Sequence, residues 1–262
     1  MCPLIFWRLI SGISSNDNGS LPPIPGHAQV EQCWRNKGGS TWVKRTAPIF
    51  AAKRDDALVA LRRADVVACD ETGMRIEGCN GYQWVFCAPD AIVHTAVFSR
   101  AAQVVRDTMA GHQPDVWISD RYSGQQGHGK HHQTCLAHLD RKARFVEKHG
   151  SDLIGMRIKL WLDRAFDFAR DIATLAAATV KTRRRKLLRD LDAILATATD
   201  CELASELLGQ IRRARDQLLT FCDFPGKVDA TNNVSERALR PSVSGVWGPR
   251  FLVWSDYGTC TA

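Results

Sequence analysis

No apolar run in the 262 residues approaches the ~20 needed to cross a bilayer, so no membrane partner is expected. Met1 to Ile13 is mildly apolar, but Arg8 interrupts it and no basic stretch precedes it, so it does not read as a signal peptide. Cysteine occurs nine times without paired spacing, which excludes a disulfide framework and points to a reducing compartment. The expected location is the cytoplasm, in association with the nucleoid. Cys69, Cys79 and Cys87 lie in or beside strand-like runs and read as small buried thiols. Charge is not balanced either. The formal net charge of +7 favours a polyanionic partner, nucleic acid first, and says nothing about fold.

The texture of the chain changes along its length. Residues 1–45 show no sustained period and are rich in Gly, Ser, Pro and Asn, which predicts an irregular arm. Pro48 to Ala64 predicts a basic helix. Residues 46–149 then alternate strand-like runs, at Asp65–Thr72, Tyr82–Ala88 and Ile92–Phe98, with short connections suited to antiparallel hairpins. A helix at Ala101–Met109 leads to a strand at Val116–Ser119. That order suggests a right-handed crossover and a parallel pairing. A short strand at Gln133–Leu136 and a helix from about Ala137 to Lys148 follow. The pattern is that of an α/β domain with a mixed sheet flanked by helices. Residues 150–221 have helical spacing throughout, for example Leu187, Leu188, Leu191, Ile194 and Leu195, and predict an all-helical segment. Residues 222–243 hold one more helix, and 244–262 form an atypical tail.

Three carboxylates stand out. Asp70 follows Val66–Val67–Ala68, and Asp120 follows Val116–Trp117–Ile118, so each is placed at the mouth of a buried strand. Glu236 sits in the first turns of a helix opened by Asn232 and Asn233. Each has an ordinary reading: turn chemistry for the two Asp residues, and helix capping with a favourable dipole contact for Glu236. Brought together, they make a site for hard divalent cations, because Mg²⁺ takes oxygen ligands and retains waters for substrate phosphates. The run Lys181–Thr182–Arg183–Arg184–Arg185–Lys186 reads either as a solvated helix face or as a phosphate-contacting patch. Arg121, Arg237 and Arg240 flank the acids and read either as ion-pair partners or as phosphate binders.

Four segments, in order, resemble transposases of the insertion-sequence sixty-six family: Asp70–Glu71–Thr72–Gly73, Ser119 to Ser123, His132 to Leu139, and Thr231 to Pro241. The resemblance spans about Pro48 to Val243. It implies a ribonuclease-H-like core with a helical insertion before the last acid, and a catalytic, metal-binding triad of Asp70, Asp120 and Glu236. It implies DNA cleavage at element ends and strand transfer into a target, with two ions of Mg²⁺ or Mn²⁺ and assembly as a homo-oligomer on DNA. DNA contacts are then expected from Arg121, His138, Arg183, Arg184, Arg185, Lys186, Asn233, Arg237 and Arg240. Asn232 and Asn233 are expected to cap the last helix and orient Glu236.

Cys135 and His138 form a C-x-x-H pair near His128, His131 and His132. A structural zinc site needs four ligands, and no second paired half is visible, so the expectation is a buried Cys135 and a His138 near the acids or DNA. Both ends depart from the family. Cys2 and Cys33 are isolated, where relatives carry a cysteine-rich zinc element, and Trp247, Phe251, Trp254 and Tyr257 replace a basic continuation. These departures predict a shortened or frame-shifted copy. Two alternatives to an active transposase core stay open: a catalytically silent remnant that at most binds DNA, and a host nuclease with a ribonuclease-H-like core.

Overall fold

Residues 52–76 and 79–243 are described by the computed structural model. The irregular arm 1–45 and the tail 244–262 lie outside them. Alternating burial makes the sheet. β1 (Val66–Ile76), β2 (Cys79–Ala88) and β3 (Ala91–Val97) form an antiparallel meander. β4 (Val116–Ser119) and β5 (His131–Thr134) extend the other edge in parallel, giving the order β3-β2-β1-β4-β5. The helices are α1 (52–61), α2 (Gln103–Met109), α3 (Leu136–His149), α4 (Ile154–Asp171), α5 (Ala177–Leu195), α6 (Glu202–Ala214) and α7 (Asn233–Val243). This is a ribonuclease-H-like mixed sheet with an all-helical insertion, α4–α6, before the Glu236 helix. Among the described residues, no helix is long and apolar enough to cross a membrane.

Strand parity sorts the side chains into two cores. Val67, Cys69, Trp84, Phe86 and Trp117 pack on one face with Ala57 and Leu61 of α1 and Val104, Val105 and Met109 of α2. Ala68, Val85, Cys87, Val116 and Ile118 point the other way, toward Leu136 and Leu139 of α3 and Leu239 of α7. The insertion joins that second core through Ile158, Trp161, Leu162, Leu191, Leu207 and Leu208. Asp70 is two residues beyond Ala68, and Asp120 two beyond Ile118. Both therefore fall on the face covered by α3 and α7.

Several sequence expectations need correction. β1 does not stop at Thr72. It runs on to Ile76, because β2 pairs along it from Ala68↔Cys87 to Ile76↔Cys79. What ends near Asp70 is the pairing with β4, which covers only Val66–Ala68. The crossover through α2 does bring β4 into a parallel pairing, but with β1 rather than with β3. The short strand is His131–Thr134 rather than Gln133–Leu136, because Leu136 opens α3 and its N–H reaches Ala230 O at 3.0 Å. The first helix is described only from residue 52 and ends at 61. Cys69 and Cys87 are buried as expected, whereas Cys79 is half-buried.

α3 and α4 meet at Gly155. A Cβ there would lie 2.3 Å from Glu147 N and 2.7 Å from Glu147 Cα, and backbone cannot turn aside as a side chain can. Gly155→Ala is expected to lower the unfolding free energy by about 1–3 kcal/mol, the usual cost of overpacking, as read by urea denaturation.

Candidate active site

The β1–β4 register pairs Val66 with Val116 and Ala68 with Ile118, and each aspartate follows its strand's last paired residue by two positions. Each is steadied from one side. Glu71 N–H donates to Asp70 Oδ1 at 2.9 Å, and Tyr122 N–H donates to Asp120 Oδ1 at 2.8 Å. Among the described residues, no hydrogen bond reaches Oδ2 of either aspartate. Two oxygens are thus left available on one face of the sheet.

Glu236 arrives from α7. Asn232, just before this helix, and Ser235 and Leu239 within it are buried and turn it toward β1 and β2. Asn232 sits at the start, with its carbonyl accepting from Glu236 N–H at 3.1 Å. Its side chain is not the expected cap. Asn232 Nδ2 instead donates to Cys69 O at 2.8 Å, which ties the head of α7 to the residue preceding Asp70. Asn232 N–H donates to Cys135 Sγ at 3.2 Å, which ties the same point to the start of α3. Asn232 thereby fixes where Glu236 stands.

Electrostatics report the crowding. Burial pushes the Asp70 carboxyl up from 3.8 to about 7; the Glu71 N–H opposes this, and the charges of Glu71, Asp120 and Glu236 add to the rise. Burial first, then the Arg141 charge, lowers the His138 imidazole, while Glu236 and Asp120 pull it back up. His138 Nε2 lies 3.3 Å and Arg141 Nη2 3.8 Å from Glu236 Oε1, an oxygen that is buried and accepts no hydrogen bond of good geometry. Cys135 is buried, and burial raises its thiol. Sγ of Cys135, one ring nitrogen of His138 and one carboxylate oxygen of Glu236 lie within 4.8 Å of one another.

A second layer of residues was not anticipated. Glu71 points to the opposite face from Asp70, its side chain almost wholly buried. There Arg100 donates to its Oε1 through Nε at 2.8 Å and through Nη2 at 2.6 Å. Gln125 Nε2 donates to its other oxygen. Tyr122 OH donates to Arg100 O at 2.8 Å, and the Arg100 guanidinium lies 3.9 Å over the Tyr122 ring. This network clamps the Asp120–Tyr122 turn against the loop before α2 and offsets the charge beside Asp70. Only tertiary contact brings Arg100 there, so no local signal marked it. Arg141 was legible in retrospect: it lies three residues after His138, on the same face of α3.

The expected DNA contacts are divided. Arg183, Arg185 and Lys186 are exposed on α5, and Asn233, Arg237 and Arg240 on α7. Arg184 is not part of that surface. It is half-buried, with Nη2 3.2 Å from Asp223 Oδ2, because it lies four residues after Val180 and three before Leu187, on the stripe of α5 that faces the core. Arg121 is half-buried beside Asp120, with Nη1 enclosed and without a hydrogen-bond partner; burial and then the Arg213 charge lower its guanidinium.

Comparison with curated proteins and with solved structures gave no match. In comparison with protein families, residues 39–246 match the description "Transposase IS66 family". The match takes in both aspartates, the helical insertion and α7, and this chain therefore belongs to the IS66 family of transposases.

Proposed function

We propose that the chain cuts DNA and transfers strands through a divalent-cation site held by Asp70, Asp120 and Glu236. The observation that carries this reading is the state of Asp70. Burial raises its pKa to about 7, and the charges of Glu71, Asp120 and Glu236 add to the rise. An all-oxygen donor set with excess negative charge suits Mg²⁺ or Mn²⁺. When bound, such ions activate the attacking oxygen and take charge from the leaving one.

The chain supplies the rest. The Glu71 and Tyr122 N–H groups hold one oxygen of each aspartate and so aim the other. Asn232 holds Glu236 against the same strand. His138 and Arg141 stand beside Glu236 as donors to a scissile phosphate, and the exposed Asn233, Arg237 and Arg240 continue a polar surface along α7. The test is strand cleavage of DNA carrying the element's ends, in Mg²⁺ and in EDTA, by the wild type and by Glu236→Gln. Cleavage only by the wild type in Mg²⁺ supports the reading, and equal cleavage by both proteins sinks it.

The exposed cations of α5 are assigned to the DNA backbone. Each phosphate neutralised adds about 0.9 to the slope of log K against log salt. Replacing Arg183, Arg185 and Lys186 together by Ala is expected to reduce that slope by about 2–3 in a fluorescence-anisotropy titration. Arg184→Ala is expected to leave the slope unchanged, because its guanidinium is engaged by Asp223.

A further inference from the structure

The geometry points to a second cation preference at the same end of the sheet. We propose that Cys135, His138 and Glu236 form a three-ligand site for a thiophilic divalent cation of the Zn²⁺ class, and that filling it withdraws Glu236 from the two aspartates. The binding half stands on its own. The withdrawal half rests on the reading of Glu236 given above.

Three observations carry it. The three ligand atoms lie within 4.8 Å of one another. Bond lengths of about 2.0–2.3 Å at a tetrahedral ion require separations of about 3.5 Å, so the cluster needs closing by about 1.3 Å at most. The His138 Nε2 to Glu236 Oε1 distance, 3.3 Å, is already there. Second, Cys135 caps the start of α3 and His138 lies in its first turn, so two of the ligands are placed by one helix start. Third, the site has outer support and an unmet acceptor. Asn232 N–H donates to Cys135 Sγ at 3.2 Å, the kind of contact that steadies a bound thiolate, and Glu236 Oε1 is buried without a hydrogen-bond partner.

The missing second half of the C-x-x-H pair thus comes from α7 rather than from another cysteine–histidine pair. Three protein ligands leave a fourth position to water, which makes the site open and exchangeable rather than structural. Donor chemistry separates the two cation classes. Mg²⁺ does not take thiolate, whereas Zn²⁺ and Co²⁺ favour it. Glu236 is the shared ligand, so zinc-class ions act as inhibitors of the cation site formed with Asp70 and Asp120.

Co²⁺ read by absorption tests the binding, on the full chain without DNA. A thiolate-to-cobalt charge-transfer band is expected for the wild type, abolished in Cys135→Ser, weakened in His138→Gln and unchanged in the control Cys222→Ser. No band, or a band that persists in Cys135→Ser, overturns the site. Circular dichroism identifies a Cys135→Ser protein that has lost its fold, in which case His138→Gln decides alone. For withdrawal, Zn²⁺ is added to protein loaded with Mn²⁺. Release from the wild type with about tenfold weaker apparent Mn²⁺ affinity, and none from Cys135→Ser, is the expected result. Release from both proteins, or from neither, overturns withdrawal. Failure of Cys135→Ser to bind Mn²⁺ at all, with a normal cobalt band in the wild type, counts against the proposed function and leaves the thiophilic site standing.

Discussion

Asp70→Asn is expected to lower metal-dependent strand cleavage by more than about a thousandfold while making the metal-free protein more stable at pH 8. The first effect follows from removing one charged ligand, since charge stabilisation by bound metal is worth several kcal/mol. The second follows from the carboxyl's environment. Its pKa is about 7 in the folded chain against 3.8 ordinarily, so folding favours the protonated form. The stability that proton contributes is complete below pH about 4 and is lost as pH rises through about 7. The full difference corresponds to a ceiling of about 4 kcal/mol, and partial exposure of Asp70 reduces the expected gain in Asp70→Asn to about 1–3 kcal/mol at pH 8. Urea denaturation at pH 5 and pH 8 measures it. The gain should shrink at pH 5, and Mg²⁺ should stabilise the wild type at pH 8 and not the variant. A variant no more stable at pH 8 than the wild type, without metal, contradicts the crowding argument.

Asn232→Asp is expected to be among the most damaging single-atom changes in the described chain. Asn232 is fully buried, and its Nδ2 serves the Cys69 carbonyl. An aspartate there has no donor when ionised and adds a negative charge beside Asp70. A buried charge without a partner costs about 3–5 kcal/mol. Protonation restores a donor, so the loss at pH 8 should exceed the loss at pH 5. Asn232→Ala loses that hydrogen bond without adding a charge, at about 1–3 kcal/mol. Both variants should cleave DNA poorly, because α7 is no longer tied to β1. Wild-type stability of Asn232→Asp at pH 8 would show that Asn232 does not position this helix.

The sheet was legible because its residues alternate. Val66 to Asp70 and Val116 to Asp120 have the same spacing from first apolar residue to acid, and the parallel register turns that shared spacing into spatial alignment. The helical insertion was legible from its 3.6-residue period. What sequence did not display was set by partners distant in the chain. β1 continues past Asp70 because β2 pairs with it that far, and β4 lies beside β1 because the crossover passes over the meander. Asn232 looked like a helix cap, a local role, and took a tertiary one because Cys69 O sits within its reach. The Cys135–His138 pair looked incomplete because its third companion is on another helix. Arg184 differs in kind. It falls on the same stripe as Val180, Leu187 and Leu191, the buried face that the apolar period of α5 already marks.

Binding of Mn²⁺ to the DNA-free chain at pH 8, followed by loss of the free-ion electron paramagnetic resonance signal, tests the central claim most directly. The wild type, Asp120→Asn and Glu236→Gln are titrated side by side. If Asp70, Asp120 and Glu236 hold one cation site, each substitution weakens Mn²⁺ binding by at least about tenfold. Equal affinity in all three proteins would mean that these carboxylates do not share a cation, and the account would fail.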